Sequence, residues 1–148
     1  MNAKRYLSFL MVCTLFLLAA ACSENTDDGE SAGNSIDTYE QLLVSLQDAG
    51  FEVETSASIT QPFFQPEARI ISVNGQEMQV FEFPTEEEAV SAAGTISADG
   101  GSIGTSMISW IKPPHFFSSG RVILIYLGED AVFISSLEQL LGPQIAGR

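Results

Sequence analysis

His115 is the only histidine in the chain. A multi-histidine zinc site and a paired proton relay are therefore both excluded, and the role open to this residue is that of a single base. No H-E-x-x-H pair and no reactive cysteine is placed beside it by motif, so it reads as a turn or surface histidine. Gly100-Gly101-Ser102-Ile103-Gly104 has the glycine content of a phosphate cradle. Such a cradle follows a strand and opens a helix, whereas this stretch follows a predicted helix and leads into a predicted strand. With Asp99 before it, it reads as a flexible turn. Glu86, Glu87 and Glu88 are consecutive on a predicted helix and point in different directions. Asp27-Asp28 lacks the alternating oxygen ligands of a calcium loop, so capping and solvation account for both runs. None of these groups implies a metal or a cofactor.

The aromatic residues form a more suggestive constellation. Phe63-Phe64 sits between Pro62 and Pro66, and Trp110, His115, Phe116 and Phe117 surround Pro113-Pro114. Two predicted irregular connections thus carry five large apolar rings. Apolar groups on loops either fold back over a sheet or form a recognition patch. The first alternative makes these rings a lid that completes a small core. The second makes Phe63, Phe64, Trp110, His115 and Phe116 the lining of a groove for a peptide, protein or small molecule, with Arg121 beside it as an anionic anchor.

The elements that must position these residues can be read from residue 36 onward. A first helix starts at a capping box of Asp37 and Glu40, buries Tyr39, Leu42, Leu43 and Leu46, and stops at Gly50. A second starts at Thr85 with Glu88 three residues on and lines up Ala89, Ala92, Ala93 and Ile96, a face that can approach a sheet closely. A third runs from Asp130 through Phe133, Leu137, Leu140 and Leu141 to Gly142-Pro143. Strands are expected at Phe51 to Thr55, twice within Ala68 to Phe83 around the hairpin signal Asn74-Gly75, at Thr105 to Ile111 and at Val122 to Leu127. The last two are joined by KPPHFFSSGR, read as a wide connection because proline has no N–H to give a ladder. The fold class is α+β: one antiparallel sheet of about five strands, helices packed on one face, in the order α-β-β-β-α-β-β-α.

The N-terminus reads as a targeting segment. Lys4 and Arg5 precede an apolar stretch from Tyr6 to Leu18, followed by Ala19-Ala20-Ala21. Roughly 15 apolar residues make a helix of about 23 Å, short of the hydrocarbon core of about 30 Å. Residues 1–21 are therefore expected to be a signal peptide cleaved on export. Leu18-Ala19-Ala20-Ala21-Cys22 resembles the lipobox of bacterial lipoproteins, with Ala19 where that family most often has leucine. The resemblance implies that the Cys22 sulfur takes a diacylglyceryl group and that Cys22 becomes the new N-terminus. Cys13 leaves with the apolar run, so Cys22 has no internal disulfide partner, and a thioether to lipid removes an exposed thiol from an oxidising compartment. Two acyl chains on one sulfur hold a protein stably on a membrane where one chain holds it marginally.

Residues 22–35 continue as a lipidated cysteine and a disordered acidic tether, SENTDDGESAGNS, with no residue able to build a core. Its average span as a flexible coil is about 20 Å and its extended limit about 45 Å. Residues 36–148 form the domain. Removal of Lys4 and Arg5 leaves four basic residues (Arg69, Lys112, Arg121 and Arg148) against 19 acidic ones, a net charge near −15. That balance argues against nucleic acid and against an anionic lipid surface as direct partners.

Four segments of the domain, QPFF, VNGQEMQVFEFP, SADGGSIGTSM and PPHFFSSGRVILIYLG, together resemble a group of short exported bacterial proteins of uncharacterised role. The expectation is thus an exported protein, lipid-anchored to the bacterial membrane and facing outside the cytoplasm. Its domain is expected to act as a non-enzymatic binding or interaction module. The alternative is a small envelope enzyme that uses His115 with an acid such as Glu82 or Glu129.

Overall fold

The computed structural model describes residues 35–147. The expected signal peptide, Cys22 and the tether up to residue 34 lie outside the described residues. Helix α1 (Tyr39–Asp48) is capped by Thr38, whose side chain accepts from the Gln41 N–H while the Gln41 side chain returns to the cap backbone. This capping box lies one residue later than the Asp37 and Glu40 pair expected from spacing. Both pairs fit the pattern, but the Asp37 carboxylate is drawn instead to Arg121, at 3.6 Å. Helix α2 (Glu86–Ala93) is capped by Thr85, and α3 (Ala131–Leu141) by Asp130, which accepts from the N–H groups of Val132 and Phe133.

The main sheet has six strands in the order β1-β2-β3-β7-β6-β8, and every pairing is antiparallel. They are β1 (Val53–Ile59), β2 (Ala68–Val73), β3 (Gln76–Glu82), β6 (Pro114–Ser119), β7 (Val122–Leu127) and β8 (Ala146–Gly147). A separate two-stranded hairpin joins β4 (Ser102–Ile103) to β5 (Ser106–Met107). The β2–β3 turn falls at Asn74-Gly75, with φ of 49° and 77°, as a type I′ turn needs at both central residues.

Four expectations are corrected. The sheet has six strands rather than about five, and the element order is α-β-β-β-α-β-β-β-β-α-β rather than α-β-β-β-α-β-β-α, with β8 following α3. The expected strand from Thr105 to Ile111 survives only as Ser106–Met107, outside the main sheet. The expected wide connection is itself a strand, because Pro114 takes the first ladder position, where a missing N–H is tolerated, opposite Leu127. Strands β6 and β7 then meet at the two-residue turn Gly120-Arg121. Gly120 has φ of 52°, and a Cβ there would stand 2.5 Å from the Asp37 Cα. Only glycine fits between this turn and the entry to α1.

The fourth correction concerns the layers. The helices lie on both faces of the sheet. One core joins Leu42 and Leu46 of α1 and Leu137 and Leu141 of α3 to Ile71, Val80, Phe117, Leu124 and Tyr126. The other joins Ala89 of α2 to Phe64, Phe81, Phe116, Ile123 and Ile125. Successive residues of β7 alternate between the two cores, so its unbroken VILIYL run is buried from both sides. Among the described residues, no helix is long and apolar enough to cross a membrane.

Candidate functional site

The α2 face brings four of the sequence-predicted rings together. Phe63 and Phe64 stand at 5.2 Å and 77° between ring planes, and Phe64 meets Phe81 at 4.9 Å and Phe83 at 5.6 Å. Trp110 links Phe63, at 6.1 Å, to Phe116, at 5.9 Å. These edge-to-face contacts exploit the ring quadrupoles and fix the irregular segment 60–67 to the sheet. Trp110 is further held by its indole N–H, which donates to the Gly100 carbonyl at 2.7 Å. That bond draws the segment 107–112 back over the sheet and away from the extended pairing expected of it.

The two expected roles of the rings divide among the residues. Phe64 and Phe116 are buried and serve the core. Phe63 and Trp110 are half-buried. Beside them runs an open groove of about 410 Å³, with Phe63, Phe64 and Phe83 on one side and Glu88, Ser91 and Ala92 of α2 on the other. Phe116 and Trp110 do not line it. The groove lies between the 60–67 segment and α2 rather than between two aromatic loops. Phe83 and the α2 residues were not singled out as site residues by sequence reasoning. Their signal was the alanine face of α2, which leaves little side-chain volume against the sheet.

His115 and Arg121 belong elsewhere. His115 lies in β6 with its ring on the opposite face, buried rather than at a turn or surface, and stacks on Tyr126 at 5.9 Å and 27°. Its Nδ1 is 2.6 Å from the Gln144 side-chain oxygen and its Nε2 is 2.9 Å from the Gly128 carbonyl. The Gln144 amide nitrogen donates in turn to Glu138 at 3.0 Å. The ring thus faces oxygens on both sides of α3, that of Gly128 before its start and that of Gln144 after its end, and the single N–H of a neutral imidazole donates to one of them. Of the acids considered as its partners, Glu129 lines a shallow depression beside His115, whereas Glu82 lies between two arginines.

Arg121 is 3.3 Å from Glu82 and 3.6 Å from Asp37, and also donates to the Pro84 carbonyl. Arg69 is 3.3 Å from Glu82 and 3.7 Å from Glu40, and its guanidinium lies 4.2 Å from the centroid of Tyr39. The charge expected to anchor an anion is already neutralised by carboxylates. Burial raises the Tyr39 hydroxyl pKa, with Arg69 pulling the other way and Glu40 adding to the rise. Burial likewise raises that of Tyr126.

Residues 100–104 also carry the G-x-S-x-G spacing of a hydrolase nucleophile elbow, a match that sequence reasoning passed over. The backbone is not an elbow. Ser102 opens the β4–β5 hairpin, where no helix follows, and its N–H donates to the Ser97 hydroxyl. Among the described residues, no three His, Cys, Asp or Glu side chains gather where they could hold a metal ion. No protein-family model matches the chain, and neither a curated protein nor a solved structure is detectably similar to it.

Proposed function

We propose that this protein is a lipid-anchored, extracytoplasmic binding module whose working surface is the groove between the 60–67 segment and α2. The observation that carries the binding half is the arrangement of Phe63, Phe64 and Phe83 along an open groove. Phe64 and Phe83 are buried in that wall and the half-buried Phe63 supplies its accessible ring, an apolar surface that suits a ligand's apolar group. The anchoring half rests on residues 1–22, whose basic, apolar and small-residue blocks end at Cys22.

Two measurements test the halves separately. Intact mass of membrane-extracted protein should exceed that of the chain from Cys22 by two or three acyl groups, and a free thiol on a chain that partitions into buffer refutes the anchor. Binding of the neutral dye Nile red should fall when Phe63→Asp is introduced and persist when Val132→Asp is introduced on the exposed side of α3. Equal binding by both variants overturns the groove.

A further inference from the structure

We infer that the groove's partner is a second copy of this chain, whose Ile111 and Lys112 enter it; the inference rests on the groove being a binding surface. Among the described residues, the two most exposed large apolar side chains are Met107, at 93 %, and Ile111, at 89 %. They are held out by an anchored segment. Burial alternates from Met107 to Ile111, and Ile108 and Trp110 pack inward on the aromatic core between them. The ridge is therefore presented by packed residues, and water is an unfavourable neighbour for its side chains.

Charge names the partner. Arg69 and Arg121 are taken by Glu40, Glu82 and Asp37, which leaves Lys112 as the base outside any ion pair among the described residues 35–147. Residues 100–128 contain no acid, and although Glu77 of β3 lines the same depression as Ile111 and Lys112, it forms no ion pair with the lysine. The groove has the opposite character. Glu88 lines it, Glu86 and Glu87 precede it in the first turn of α2, and no base pairs with any of the three among the described residues. Ile111 followed by Lys112 supplies an apolar group and a cation to a surface of rings edged by carboxylate.

Position supplies the symmetry. Groove and ridge lie on the same face of the sheet and are joined through the Phe63–Trp110 contact. A two-fold axis can therefore place each copy's ridge in the other's groove, a closed isologous pairing in which neither element is left over. General repulsion between two acidic domains opposes the pairing and is screened within about 8 Å at physiological salt, so the contact is best measured near that salt.

The test uses the full chain, purified from membranes in detergent micelles and mixed as unlabelled and ¹⁵N-labelled protein. A zero-length carbodiimide should join Lys112 to Glu88, and mixed-isotope masses should show the link to be between chains. Lys112→Glu alone and Glu88→Lys alone each remove one end of the link and should abolish it, and each should also lower the dimer fraction read by sedimentation about tenfold or more, the size expected from losing a close charge pair. A mixture of the two variants should restore the dimer, because each then meets its opposite at both contacts. Failure of the mixture to restore the dimer, or a link within one chain only, overturns the inference. If the dimer is absent while Nile red binding still depends on Phe63, the partner is wrong and the groove stands. If both are absent, both readings fall.

Discussion

On one face of the sheet two helices send Leu42, Leu46, Phe133, Leu137 and Leu141 into a closed core. On the other, one short helix offers Ala89 as its buried contact, and rings from the irregular segment 60–67 and from Trp110 cover what the helix does not reach. The contrast follows from side-chain length. Leucines on a helix fill the space between helix and sheet, so that core is continuous. Alanines bring a helix close but leave its flanks open, and edge-to-face rings fill those flanks without closing them. The leucine-lined face carries the larger core, and the alanine-lined one leaves an open groove beside α2.

The sharpest way to break this distinction is to truncate one residue on each side. Leu137→Ala removes a fully buried side chain from the closed core and should cost about 2–5 kcal/mol, read from urea unfolding. Phe63→Ala should cost less than this despite removing a larger side chain, because its ring is already half exposed. Equal losses would mean that Phe63 is core and that the groove is closed in solution.

The next effect belongs to the histidine. His115→Ala strips a partner from the Gly128 carbonyl and from Gln144 inside the closed face, and an unsatisfied buried polar group costs about 1–3 kcal/mol. The end of α3 and β8 should loosen first, seen as faster amide exchange at Ile145 and Gly147, which donate to the Phe116 and Ala98 carbonyls. If stability and exchange are unchanged, His115 is free for another role and the enzyme alternative regains its base.

The sequence was legible where a local rule sufficed. The three helices lie close to where their caps and apolar spacing put them, with α1 capped one residue late and α2 ending at Ala93 before the expected Ile96, and Asn74-Gly75 forms its hairpin, because both depend on residues within one or two turns of chain. Layering was misread although its signal was present. VILIYL is apolar at every position, which is the mark of a strand covered on both sides, whereas a sheet with one wet face would have alternated. Strand β6 was hidden because Pro113-Pro114 argues for a loop, and only the register against β7 shows that Pro114 occupies a position where its missing N–H costs nothing. The groove was half legible. Phe63 and Phe64 announced it, but its far wall depends on where α2 lands, and that is a tertiary matter.

A smaller effect sharpens the comparison by pH. The hydroxyl pKa values of Tyr39 and Tyr126 are raised above the ordinary 10.0, and both rings lie in the closed core. Below pH 10 the phenols are protonated in both folded and unfolded chains, and their contribution to stability is fully present. As pH rises past 10 the unfolded chain ionises first and binds fewer protons than the folded one, so stability falls as pH passes through the raised values. The urea midpoint should therefore drop between pH 9 and pH 11, and Tyr126→Phe should flatten that drop. The same drop in Tyr39→Phe/Tyr126→Phe would place its origin elsewhere.

The smallest expected effect discriminates between two adjacent residues at the entry to the closed face. Thr38 caps α1 by accepting from the Gln41 N–H at 3.2 Å, so Thr38→Ala should cost about 1 kcal/mol. Asp37 sits one residue earlier and pairs with Arg121 across a half-exposed gap of 3.6 Å, so Asp37→Ala should cost about 0–1 kcal/mol and less than the neighbouring change. The Thr38 loss should be independent of salt because it removes a neutral hydrogen bond, whereas the Asp37 loss should shrink at 1 M salt, where the screening length is about 3 Å. A reversed order would show that Asp37 caps the helix in solution, and Arg121, released from one of its two carboxylates, would then be nearer to the anion anchor its position in the sequence suggested.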